Sequence, residues 1–178
     1  MRMLIVAAAM AASVAAGQEA PKTPTARADD VKSIDAIVAA VYDVISGPAG
    51  QKRDWDRMRS LFVPGARLIP AVPSQSGGAT ARVLDVDGYI LRSGSVLERD
   101  GFFEREIARR METFGNIAHV FSTYESKHGR DDAKPFARGI NSMQLLKDGD
   151  RWWFVTIFWD SEKPSNPIPG EYLPKDRE

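Results

Sequence analysis

The stretch from Ala137 to Asp160, ARGINSMQLLKDGDRWWFVTIFWD, constrains the fold more than any other. It reads as two β-strands joined by a tight turn at Asp148-Gly149. Asp-Gly between apolar, β-prone runs is a strong turn signal, because Gly149 accepts the positive φ such turns demand. The second arm, Trp152 to Trp159, is almost wholly aromatic and β-branched, which suits a strand buried on both faces. Two registers compete. A two-residue loop sets Arg138 opposite Trp159, whereas a type I turn with Gly149 in a bulge shifts the pairing by one residue. The bulged register is preferred because it separates a polar face from an apolar one. Arg138, Ser142, Gln144, Thr156 and Asp160 then share the first face, and Met143, Leu145, Trp153, Val155, Ile157 and Trp159 the second.

The N-terminus is of a different kind. Arg2 supplies a short basic segment, and Leu4 to Val14 is an apolar run too short to span a bilayer. Small residues follow, with cleavage expected after Ala15, Ala16 or Gly17. Residues 1–17 are therefore expected to be a signal peptide, and the mature chain to be periplasmic or secreted. The alternative, a buried N-terminal helix, is not favoured by these flanks. No other apolar run is long enough to cross a membrane. The remainder, about 160 residues, fits one domain with its own core. The 24 basic and 24 acidic residues of the whole chain balance, so nothing attracts nucleic acid or an anionic membrane surface. Cysteine is absent, which excludes disulfides, thiol nucleophiles and thiolate metal sites and leaves stability to packing.

Taken in order, residues 18–28 are polar and unpatterned and read as a linker. Asp29 and Asp30 then precede a helical stripe of Val31, Ile34, Val38, Val41 and Ile45, stopped by Gly47-Pro48. Acids so placed are caps rather than catalysts. A short helix is expected from Asp54 to Phe62, ended by Pro64. Ala66 to Val72 is a strand in which Pro70 argues for an edge or a bulge, and Thr80 to Leu84 is another. Asp85 and Asp87 open a helix that fades near Gly94; the DVDG there lacks the later ligands of a calcium loop. Phe102 to Thr113 has helical period in Phe103, Ile107, Met111 and Phe114. Ile117 to Glu125 is a strand with His119, Phe121 and Thr123 on one face. From Lys163 the chain is a proline-rich tail, with Ile168, Tyr172 and Leu173 apolar enough to dock on the body as a cover.

This order of elements resembles the nuclear transport factor 2-like superfamily, and its exported bacterial members in particular. The resemblance is carried by GFFEREI (Gly101 to Ile107), FGNIAHVFSTYE (Phe114 to Glu125), RGINSMQL (Arg138 to Leu145) and RWWFVTIFW (Arg151 to Trp159). It implies an α+β fold: a cone-like, curved mixed or antiparallel β-sheet wrapped around three N-terminal helices, over residues 29–162. It also implies that Phe102 to Thr113 is a strand turning at Phe114-Gly115-Asn116, and that the chain is a homodimer paired through the sheet, with Trp153 or Trp159 at the two-fold interface. The superfamily includes ketosteroid isomerase-like, dehydratase-like and polyketide cyclase-like enzymes beside non-catalytic members. None of their catalytic patterns carries over here residue by residue.

No Walker loop, dinucleotide fingerprint, HExxH or GxSxG is present, and two histidines are too few for a histidine-rich metal centre. The catalytic candidates are His119, as a mid-strand general base, Tyr124, as an oxyanion donor, and Asp160; each has a purely structural reading beside it. His119 and Arg138 are expected to face one cavity. Arg138, Asn141, Gln144 and Trp159 are the candidates for substrate binding, because polar groups among aromatics need partners when buried. Glu104, Arg105, Glu106 and Arg109 alternate in charge, as solvated or cross-strand paired faces do. No cofactor and no metal are expected. Two functions follow: an exported domain that binds a small hydrophobic molecule, or a cofactor-independent isomerase, dehydratase or cyclase working by acid–base chemistry in the cone. A convergent acid–base pair inside an open cavity, against a cavity filled by Trp and Phe, separates them.

Overall fold

The computed structural model describes residues 23–175; the expected signal peptide lies outside them. Helix α1 (Ala28–Val31) is a single turn, and α2 runs over Ile34–Ile45. The one helix expected here is broken because Ser33 takes extended backbone and caps α2, accepting from the Ala36 N–H at 3.1 Å. Asp30 is held by Arg57 of α3 (Trp55–Ser60), which donates to both its carboxylate oxygens at 2.7 and 2.9 Å and also reaches Asp43. Helix α3 stops at Ser60. Strand β1 (Phe62–Pro73) starts before Pro64, so that proline interrupts a strand and does not end a helix.

Strand β2 (Ala79–Ala81) folds back on the end of β1, and α4 (Val86–Asp100) follows, capped by Asp85. Helix α4 does not fade at Gly94. That glycine is buried against Trp55, where an added Cβ would stand 3.1 Å from the indole Cζ2, so close packing and not helix ending selects it. Gly101, at φ 73°, turns the chain into β3 (Phe103–Phe114). The strand implied by the family resemblance is thus correct, and the helical period over this segment is not. Strands β4 (Ile117–Lys127), β5 (Ala137–Asp148) and β6 (Arg151–Ser161) complete a curved, unclosed sheet of order β2-β1-β6-β5-β4-β3. Only β1 and β6 run parallel.

The hairpin exists, but both expected registers are wrong. Its loop is Gly149-Asp150, with Asp148 paired to Arg151. Gly149 has φ 59° and Asp150 has no positive φ, the arrangement of a type II′ turn with glycine first. A bulge at Val155 then inverts the parity of β6. Met143 and Ile157 share the inner face as expected, but Phe154 joins them and Trp153 turns outward under the Arg151 guanidinium, 3.3 Å from the ring centroid. Nor is β6 buried on both faces: Val155 and Phe158 are 37% and 44% exposed.

The core lies between the inner face of the sheet (Val120, Met143, Leu145, Phe154, Ile157) and α2 (Ile37, Val38, Val41), with Met58 and Leu61 from α3 and the turn after it. A buried guanidinium closes one end. Arg53 donates to the carbonyls of Ile45 (3.1 Å), Gly47 (2.7 Å) and Leu97 (3.0 Å), satisfying the open C-terminal carbonyls of α2 and α4 at once. The tail docks too. Ile168 is buried, the Tyr172 ring meets Phe121 edge-on at 5.0 Å, and the Thr123 hydroxyl donates to the Tyr172 carbonyl at 2.6 Å. It crosses the outer face of the sheet, away from the cone interior.

Candidate functional site

Inside the cone a cavity of ≈ 260 Å³ opens between α2, α4 and the inner sheet face. Its walls are apolar: Val41 and Ile45 from α2, Leu97 from α4, Leu68 from β1, Met143 from β5, Ile157 from β6. Two aromatic pairs flank it. Tyr89 meets Trp159 at 6.2 Å and 82°, and Phe102 meets Phe136 at 6.2 Å and 60°. Gly139 gives room at this end of the sheet, since a Cβ there would collide with the Asp160 carbonyl and the Tyr124 hydroxyl.

One carboxyl group enters this apolar space. Glu104 sits on β3 opposite Ser126 of β4, whose hydroxyl donates to Glu104 Oε2 at 2.7 Å. Burial pushes the Glu104 carboxyl up to about 7, against the lowering by hydrogen bonds from Ser126 and Asn141. Three tyrosines sense its charge. Burial raises the Tyr42 and Tyr89 hydroxyls well above the ordinary phenol value, and the Glu104 charge adds to both. Tyr124 is pushed up to about 12, chiefly by burial, and bonds Ser161 Oγ at 3.2 Å. All three are neutral donors at physiological pH. Tyr89 has no hydrogen-bond partner among the described residues, so its hydroxyl is free for a ligand.

Behind Glu104 the polar groups form a chain. The Asn141 amide donates to Tyr42 Oη at 3.0 Å, Tyr42 lies 2.7 Å from Ser122 Oγ, and Ser122 donates to Glu106. With the Ser122 proton spent on the carboxylate, the Tyr42 hydroxyl must donate to Ser122, and the chain has one direction. Tyr42 and Glu104 thereby form a shared wall between the cavity and an outer cleft of ≈ 660 Å³. The cleft is charged and internally paired: Arg105 with Glu125 at 2.8 Å, and Arg109 with Glu106 at 2.8 Å and with Asp35 at 2.5 Å. Among the described residues no group of His, Asp and Glu could hold a metal ion.

The sequence candidates divide. Tyr124, Asn141 and Trp159 line the cavity. His119, Arg138, Gln144 and Asp160 do not. His119 faces outward, bonding Ser142 Oγ at 3.0 Å with Glu112 at 3.9 Å, so it does not share a cavity with Arg138. Arg138 is paired with Glu162 at 2.8 Å, and Asp160 with Lys163 at 3.0 Å. Gln144 is exposed on the outer face between His119 and Thr156. Trp159, facing inward, is unavailable to an interface across the sheet. The residue that the sequence reading passed over is Glu104, taken there as one of a row of alternating charges. Its signal was the Gly115-Asn116 turn: counting back from it, through one bulge at Ile107, sets Glu104 opposite Ser126 on the inner face.

The same architecture recurs in solved structures. A cystatin-like protein of unknown function from Nostoc punctiforme superposes with TM-score 0.55 at 14% identity, covering 76% of this chain and 92% of that one. A nuclear transport factor 2-like protein of unknown function from Pseudomonas putida gives 0.54 at 9% identity, covering 82% and 93%. An uncharacterised cystatin-like protein from Caulobacter vibrioides gives 0.52 at 14%, covering 74% and 89%. No protein-family model matches the sequence, and no curated protein matches it. The chain therefore has the nuclear transport factor 2-like, cystatin-like cone fold.

Proposed function

We propose that this protein binds a small organic molecule inside the cone. The observation that carries this reading is an open apolar cavity into which one carboxyl and one unpartnered tyrosine hydroxyl project. Filling the cavity tests it. Ser93→Phe, on the cavity side of α4, should abolish the rise in melting temperature given by small aromatic ligands, with the fold retained by circular dichroism. Unchanged ligand response in that variant would remove the cavity as the site.

A second reading, cofactor-independent acid–base catalysis on a hydrophobic substrate, is favoured by Glu104 itself. A carboxyl group titrating near 7 exchanges protons at working pH, and neutral tyrosines beside it are suited to stabilise a developing oxyanion. Residues 1–17 are proposed as a cleaved signal peptide, directing the chain to the periplasm or outside the cell. The protein recovered there should begin within a residue or two of Gly17; retention of Met1 would overturn export. The chain is proposed to pair with a second copy across the outer sheet face, where Phe114, Ile117 and Phe158 are 83%, 58% and 44% exposed.

A further inference from the structure

We infer that the ligand of the cone cavity is a cation, an apolar organic amine seated among aromatic rings with its ammonium group on Glu104. This rests on the reading of the cavity as a binding site and adds the chemical class of its occupant. Three observations carry it. Among the described residues the cavity lining holds one carboxylate and no Lys, Arg or His, so the formal charge they bring to it is negative. Four aromatic side chains line it, Tyr89 and Trp159 meeting at 82° and Phe102 and Phe136 at 60°. Ring faces attract an ammonium group and give nothing to a carboxylate ligand. Glu104 Oε2 is engaged by the neutral Ser126 hydroxyl, and among the described residues no cationic side chain neutralises the carboxylate from within the cavity.

The charges beyond the shared wall leave this balance in place. Asp43 on α2, Arg105, Glu106 and Arg109 on β3, Glu125 and Lys127 on β4, and Arg130 in the next loop all line the outer cleft. Arg105 and Arg109 are committed to Glu125, Glu106 and Asp35, and Arg130 lies over the Phe103 ring at 5.1 Å. None of these lines the cavity. An ammonium group entering beside Glu104 supplies the missing partner for a buried carboxylate, and an anion there meets like charge with no cation to offset it.

The test compares three probes of one shape on the wild-type chain by titration calorimetry: 2-phenylethylamine, 2-phenylethanol and 3-phenylpropanoate. At pH 8 the amine is expected to bind at least tenfold tighter than the alcohol, and the acid to bind weakest. Because the amine stays protonated up to about pH 10, lowering the pH to 5.5 protonates Glu104 without discharging the amine, and the preference should shrink toward unity. In Glu104→Gln, checked for folding by its melting transition, the amine-to-alcohol ratio should likewise fall to near one. An alcohol that binds as tightly as the amine at pH 8, or a preference that persists at pH 5.5, overturns the cation while leaving the cavity as a binding site. If no probe binds, both readings fall together.

Discussion

Glu104 makes a prediction of its own, independent of any ligand. Its carboxyl titrates at about 7 in the folded chain against 4.5 ordinarily. A group whose folded value is raised contributes stability that is fully present below the unfolded value and is lost as pH rises through the folded one. Between pH 4.5 and 7 the unfolded chain ionises first, so stability should fall over that window by up to about 3 kcal/mol. Chemical denaturation at pH 5 and pH 8 checks this: the wild type should lose stability between them, and Glu104→Gln should lose markedly less. Equal pH dependence in both proteins would mean that the carboxyl is solvated. Arg53 is the opposite case, a buried charge satisfied by carbonyls and placed for structure, with no route to the cavity chemistry.

At the scale of elements, the proline-rich tail is an added layer on the sheet. Its hold rests on Ile168, the Tyr172–Phe121 contact and the Thr123 and Arg110 bonds to tail carbonyls. Deleting residues 164–178 should lower the melting temperature by about 5 °C, the effect of one to two kcal/mol in a domain of this size, and leave cavity binding intact. An unchanged melting temperature would mark the tail as a passive extension. The tail's apolar residues were legible in the sequence, and so were the hairpin, the strands β4 to β6 and the N-terminal helices. What was not legible has a common physical cause. A single inserted residue, at Ile107 or at Val155, exchanges the two faces of a strand for everything beyond it. That is why Trp153 and Phe154 changed places and why Glu104 went unnoticed. Gly94 misled differently: its reason for being glycine lies in Trp55, thirty-nine residues earlier in the chain.

For the molecule as a whole, the outer sheet face is where the proposed pairing with a second copy is tested. The tail covers the part around Phe121 and Thr123 and leaves Phe114, Ile117 and Phe158 uncovered. Light scattering at micromolar concentration should give twice the monomer mass, and Ile117→Glu with Phe158→Asp should return it to the monomer. A wild type that is already monodisperse as a monomer removes the dimer. No helix among the described residues is long and apolar enough to cross a membrane.

The parallel pairing of β1 with β6 has a consequence in time. Phe62 pairs with Phe154 and Pro70 with Trp159, so β1 joins the main sheet only through residues roughly ninety positions later. Loop-closure entropy must be met before those contacts reward it, which makes this step slow and places it at the end of synthesis. Until β6 has left the ribosome, the strand that joins the two parts of the sheet is missing, and the N-terminal helices have no complete surface to close on. Most of the polypeptide is therefore made before its core can close.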